Sequence, residues 1–157
     1  MSEYVDVAIV GASPVGAHVA STLRERGFTG SVMIIGEETI PPYDHPALSN
    51  AYMVGSISIE RVLPRDRGYW DRNNIALTLG VRVTRLDSEH ATLTLDDGRR
   101  IAFGQCVLAT GETVHRLAYP GADLAGIHTV RSLADVDALR AALTGIPVGQ
   151  IAKPLLN

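Results

Sequence analysis

Residues 5–27 read VDVAIVGASPVGAHVASTLRERG, an apolar run that meets a glycine and passes directly into a helical pattern. Few sequence features restrict a fold as tightly. A solidly apolar strand needs cover on both faces, and the helix that follows it must cross back over the sheet. Tyr4–Val10 is rich in Val and Ile, as in a buried parallel strand. Val15, Val19 and Leu23 then recur at helical spacing, and Gly27 closes the helix. Ser31–Gly36, SVMIIG, is a second apolar strand. Strand, helix, strand within about thirty residues predicts a right-handed βαβ unit.

The turn of that unit, GASPVG, poses a chemical question. In a dinucleotide fingerprint, G-x-G-x-x-G, the first glycine makes the tight turn. The second lets the backbone approach a pyrophosphate, and the third lets helix and strand pack closely. Gly11 and Gly16 hold the first and third places, with Ala12 between Gly11 and Ser13. Ser13, the smallest polar substitute, holds the second and reads as a helix N-cap, with Pro14 at the first helical position. Proline removes one N–H from the donors that face an anion, and a hydroxyl that caps its own helix serves a phosphate incompletely. The same run also fits a Rossmann-like turn that holds no ligand. G-x-S-x-G, the nucleophile elbow, does not fit, because Gly16 follows Ser13 at a three-residue interval. After the second strand come Glu37 and Glu38, about where a carboxylate reaches the ribose of an adenosine; Glu38 is the favoured one, and a solvated acidic turn is the alternative.

Composition narrows the partners. Of the 157 residues 46% are apolar and 20% charged, and the net charge of −3 offers no basic surface for nucleic acid. No apolar run approaches the roughly 20 residues of a membrane span, and the acidic start, MSEYVDV, is unlike a signal peptide. Cys106, the single cysteine, excludes a disulfide or C-x-x-C pair within these residues, and a reduced, cytoplasmic setting is expected. His18, His45, His90, His115 and His128 show no paired spacing that suits a metal.

Beyond the βαβ unit, EETIPPYDHPALSNAYMVG is too irregular for a strand and too apolar for a linker, which predicts a packed loop with a short helix near Leu48–Val54. LPRDRGYWDRNN predicts another short helix begun at Pro64, with Tyr69 and Trp70 as packing residues. From Gly80 the period changes to two. VRVTRLD, ATLTLDD and GRRIAF are alternating runs, the last two joined by Asp96-Asp97-Gly98, and they predict an antiparallel meander. QCVLATG returns to a solid apolar strand, IHTV is a candidate strand, and SLADVDALRAAL predicts a helix. Cys106 reads as an inert core residue, and Arg24, Arg26, Arg99 and Arg100 as solvated charge.

At this point the chain resembles a known family, the FAD-dependent ferredoxin and rubredoxin reductases of the glutathione-reductase-like class. The resemblance runs over about residues 4–143 and rests on VAIVGASPVGAHVASTLRERGFTGSVMIIGEE, PPYDHPALSNAYMVG, GVRVTRLD, CVLATG and PGADLAGIHTVRSLADVDALRAAL. It implies FAD as cofactor, with the pyrophosphate at the Gly11, Ala12, Ser13, Pro14, Gly16 loop and the adenosine ribose at Glu38. It implies the adenine near the Val83 backbone, and Ala109, Thr110 and Gly111 closing over the ADP half. The family's proline-rich loop reads P-P-Y-x-R-P-x-L-S-K, and its arginine and lysine approach the flavin. His45 and Asn50 stand there in this chain, so two permanent cations are replaced. The family also carries a second Rossmann domain for the nicotinamide and a returning G-D motif. Here 14 residues follow Leu143, and VGQIA, with Gln150 for the aspartate, only faintly echoes that motif.

The expectation is therefore an α/β fold, a Rossmann-like parallel sheet with a small three-stranded antiparallel meander at 81–103. It comprises one dinucleotide-binding domain over 1–143 and an irregular tail over 144–157. The expected function is a minimal, truncated FAD-binding flavoprotein domain that works with a partner chain in electron transfer, with no catalytic residue and no metal assigned. The alternative is a non-catalytic nucleotide-binding or assembly subunit that holds FAD, ADP, AMP or nothing. A homo-oligomer or a heterologous partner is expected to cover the face of the missing domain.

Overall fold

A computed structural model describes residues 3–66, 68–112, 114, 118–122 and 124–144. The elements run β1 (Glu3–Val10), α1 (Pro14–Glu25), β2 (Val32–Gly36), α2 (His45–Ala47), α3 (Tyr69–Arg72), β3 (Ile75–Leu79), β4 (Val83–Asp87), β5 (Thr92–Leu95), β6 (Arg100–Leu108) and α4 (Leu133–Leu143). A π-helical turn at Leu48–Tyr52 continues α2, and a 3-10 turn lies at Ile59–Arg61. No helix among the described residues is long and apolar enough to cross a membrane.

The six strands form one sheet in the order β3-β2-β1-β6-β5-β4. The first four are parallel, and β6, β5 and β4 pair antiparallel. This is the expected parallel sheet with an antiparallel part, but two details differ. IALTL forms β3, a parallel edge strand that the sequence reading passed over. GRRIAF and QCVLATG are not two strands: β6 is one strand that pairs with β5 through Arg100–Ala102 and with β1 from Ile101 to Leu108. The meander therefore shares its last strand with the parallel sheet.

Alternation along β1 explains the two cores. Val7 and Ile9 pack on one face with Ala17 and Ala20 of α1, Val32, Ile34, Ile75 and Trp70. Ala8 and Val10 pack on the other with Met33, Ile35, Leu93, Leu95 and Ile101. Helix α1 ends as its sequence dictates: Gly27 adopts φ +82°, its N–H donates to the Arg24 carbonyl, and Phe28 N–H donates to the Leu23 carbonyl.

Other expectations need correction. The short helix begins at Tyr69 and not at Pro64, with Gly68 in the cap position. Residues 127–130, IHTV, form no strand, because each lies outside the sheet's ladder. Arg24 is not solvated charge. Its guanidinium donates to four carbonyls, those of Phe28 (2.7 Å), Gly30 (2.8 Å), Asn73 (2.8 Å) and Asn74 (2.6 Å). Cys106 is half-buried on β6, and burial pushes its thiol up, away from thiolate chemistry.

The described chain divides into two compact units. The first comprises residues 1–44 and 59–113, and holds the whole sheet; the second comprises 45–58 and 114–157. In the second unit α4 carries a capping box, in which Ser132 accepts from Asp135 N–H and Asp135 accepts from Ser132 N–H. Tyr52 donates to Asp137 at 3.0 Å, and Arg140 stacks 5.4 Å from the Tyr52 ring centre.

Candidate functional site

In the first unit the chain order reverses at β1, which has β2 on one side and β6 on the other. Open α/β sheets bind ligands outside the carboxyl ends of their strands at such a switch point. The GASPVG loop leaves β1 there. Gly11 N–H donates to the Ile35 carbonyl at 2.8 Å, and Ala109 N–H donates to the Val10 carbonyl at 2.7 Å. The ends of three strands are thus tied to one another directly beneath the loop.

Each glycine has a steric reason. Gly11 sits at φ +118°, and a Cβ there would lie 2.1 Å from the Ala109 carbonyl oxygen. A Cβ on Gly16 would lie 2.3 Å from the Gly11 carbonyl oxygen, so the third glycine lets α1 close onto the turn. Gly36, which ends β2, touches Ala12: a Cβ there would fall 2.4 Å from the Ala12 Cβ. Ala12 is held small by that contact.

Ser13 is the N-cap of α1 in extended geometry, and Pro14 takes the first helical position, as expected. The Ser13 hydroxyl accepts from Gly16 N–H at 3.2 Å and donates to the Ala109 carbonyl at 2.9 Å. Its one proton is therefore spent inside the protein. Ala17 N–H is bound by the Ser13 carbonyl, which leaves Val15 as the first-turn amide that neither the proline nor the cap removes. Val15 is also exposed.

The two glutamates differ in what holds them. Glu37 is exposed and paired with Arg82, which it pushes further above its usual range. Glu38 is half-buried, and the buried Tyr43 hydroxyl lies 2.9 Å from both of its carboxylate oxygens. Its backbone is fixed as well, because Gly80 N–H donates to the Glu38 carbonyl at 3.0 Å. Sequence reasoning missed Tyr43; the P-P-Y run was the available signal. Val83 opens β4 beside a bulge that lies between it and Arg85. Ala109 is buried, while Thr110 and Gly111 are exposed, Gly111 at φ +75°.

The remaining two expected residues belong to the second unit. His45 begins α2, and its Nδ1 lies 3.0 Å from the Arg131 guanidinium. Asn50 lies in the π-helical turn. There, burial first and then Asp137 raise the Tyr52 hydroxyl above its usual range. The first unit thus gathers Gly11, Ala12, Ser13, Pro14, Gly16, Glu37, Glu38, Val83, Ala109, Thr110 and Gly111 on its own scaffold. Residues 145–157, including Gln150, and His115 lie outside the described residues.

These residues suit a dinucleotide's ADP half. Two sterically obligatory glycines sit at the switch point, at a helix start bearing no carboxylate in its first turn, and a carboxylate held by Tyr43 follows β2. Comparison with known proteins shows what the chain is similar to. The family profile for pyridine nucleotide-disulphide oxidoreductases matches residues 5–152. A ferredoxin–NAD(P)(+) reductase from Sphingomonas sp is 42% identical over 143 residues, 91% of this chain and 34% of that protein. The ferredoxin reductase subunit of 5,5'-dehydrodivanillate O-demethylase from Sphingobium sp. is 39% identical, over 89% of this chain and 34% of its own. Putidaredoxin reductase, solved as a covalent complex with putidaredoxin, superposes with a TM-score of 0.77 at 30% identity, over 88% of this chain and 34% of that one. The chain spans about a third of the length of the relatives it matches.

Proposed function

This chain belongs to the pyridine nucleotide-disulphide oxidoreductase family, and on that premise we propose that it is an FAD-binding flavoprotein unit of the ferredoxin reductase kind, holding FAD chiefly through its ADP half. The observation that carries this reading is the Glu38 carboxylate, half-buried and aimed by Tyr43, beside the same strand end that contacts the fingerprint loop through Gly36 and Ala12. A solvated acidic turn has no use for a buried tyrosine that orients it.

In this reading the Gly11–Gly16 loop holds the diphosphate, with the Val15 amide as donor. Glu38 accepts from the ribose hydroxyls, the Val83 backbone borders the adenine, and Ala109–Gly111 closes the ADP half. His45 and Asn50 fall in the second unit, and a flavin role for them rests on their places in the proline-rich loop alone. When bound, the flavin supplies the electron transfer. The chain's own residues bind and orient; with one cysteine, held as a thiol by burial, they supply no dithiol pair. Two relatives are named as ferredoxin reductases, and a small electron-transfer protein of that type is the partner we assign.

The experiment is an absorbance spectrum of the purified chain after addition of FAD and desalting, followed by titration of E38Q and E37Q. We expect retained flavin bands, an affinity loss of about tenfold in E38Q, the size of one charge-assisted hydrogen bond, and a change under about twofold in E37Q. A folded chain that retains no flavin and binds no ADP would overturn the reading in favour of a subunit that kept the fold without its nucleotide.

A further inference from the structure

One first-turn amide of the GASPVG loop, that of Gly16, is already satisfied without a ligand, and the residue that satisfies it is the one that departs from the glycine fingerprint. Ser13 Oγ accepts from the Gly16 amide, at 3.2 Å, and donates a hydrogen bond to the Ala109 carbonyl, at 2.9 Å. A glycine in that place has no side chain with which to do either, so the third-position amide of the helix stays available to an anion. Serine is among the strongest N-caps, and its hold on this amide competes with any incoming oxygen. Ala109 is the residue whose carbonyl abuts Gly11, so one hydroxyl spans the loop and the end of β6.

We propose that Ser13 is a built-in stand-in for a phosphate oxygen: it keeps the cradle folded when empty, and a diphosphate must displace it from Gly16 to bind fully. The inference rests on the FAD reading and deepens it, because it names the residue that sets how tightly the diphosphate is held. No bond is made or broken in the exchange. Ser13 rotates about χ1, the Gly16 N–H turns from the serine hydroxyl to the anion, and the hydroxyl proton remains on Ser13.

The test uses the full 157-residue chain as wild type, S13G and S13A, titrated calorimetrically with ADP, with amide hydrogen exchange read at Gly16 in each. In the ligand-free wild type the Gly16 amide should be protected. Both variants should lose that protection and recover it with ADP. ADP should bind about twofold tighter to S13G than to wild type, the small margin by which serine outcaps glycine, and less markedly tighter to S13A, whose Cβ remains. Glycine caps helices almost as well as serine, so S13G keeps the test alive should S13A fold poorly. Should wild type bind ADP and neither variant bind it more tightly, the stand-in role falls while the FAD reading stands. Should the folded wild type and both variants all ignore ADP, the FAD reading falls and takes this inference with it.

Discussion

At the scale of single residues, Arg24 shows how far a side chain's work can lie from its sequence context. It stands in STLRERG, a run that reads as the solvated end of an amphipathic helix, yet its guanidinium fills four carbonyls from two separate turns. Two of these, Asn73 and Asn74, form the turn that launches β3, and Asn74 takes φ +52°, a conformation asparagine tolerates better than most residues. The planar five-donor fork makes this possible; an ammonium on a lysine stem is a point charge and cannot span both turns. R24K should therefore cost about 2 kcal/mol in urea-unfolding free energy and R24M slightly more, since several carbonyls lose their donors at once. An R24K chain as stable as wild type would show these bonds to be dispensable. Ser13 and Glu38 are the matching cases in the site. The N-cap at Ser13 was legible, because Ser-Pro before a helical run has a local mechanism. The Tyr43 support of Glu38 was not, because it depends on how the proline-rich loop folds back.

Among elements, the strands are where sequence and structure part. β1, β2 and α1 were legible because each is locally consistent: a solid apolar run, a cap, a helical stripe and a glycine end. β3 was missed because it is five residues long, lies at the sheet edge and has only its first residue fully buried, so neither alternation nor a solid run marks it. β6 was split because Gly104 interrupts it. The glycine is there for proximity: a Cβ on it would lie 2.9 Å from the Asp6 carbonyl oxygen. Asp6 is also a clamp between elements. Its carboxylate accepts from Ser31 N–H at 2.6 Å and from the Ser31 hydroxyl at 2.8 Å, tying β1 to the residue that leads into β2. The Ser31 side chain, then its backbone, hold the Asp6 carboxyl below the usual carboxylate range. A carboxyl lowered on folding contributes stability that is full above its unfolded pKa of about 4 and is lost as pH falls through the lower folded value. The wild-type advantage over D6N in urea midpoint should hold from pH 7 to about 5, shrink below about pH 4 and vanish in stronger acid. A constant advantage across that range would remove Asp6 as a titrating clamp.

For the whole molecule, the question is how many nucleotides the chain holds. The sheet and the fingerprint loop lie in one compact unit, and a G-x-[GS]-x-x-G run following an apolar strand and opening a helix occurs once in the 157 residues. A single cradle at a single switch point predicts one dinucleotide per chain, with ADP, FAD and NADH competing for it. Trp70, the sole tryptophan, offers the probe. It lies 1% exposed in the core beneath α1, with no partner for its Nε1 among the described residues, so its emission should be blue-shifted when folded and move red as that unit opens. ADP at one hundred times its Kd should stabilise this transition by about 2.7 kcal/mol, as mass action requires for a ligand that binds only the folded state. NADH added at the same multiple of its own Kd should raise this by only about 0.4 kcal/mol, since the two compete for one cradle. Additive stabilisation by the two would reveal a second nucleotide site, and a bound nicotinamide beside a bound flavin would then make this chain competent for transfer between them. Competition leaves the electrons to arrive from outside these residues, which is what one fingerprint, one cysteine and a match to about a third of each relative lead us to expect.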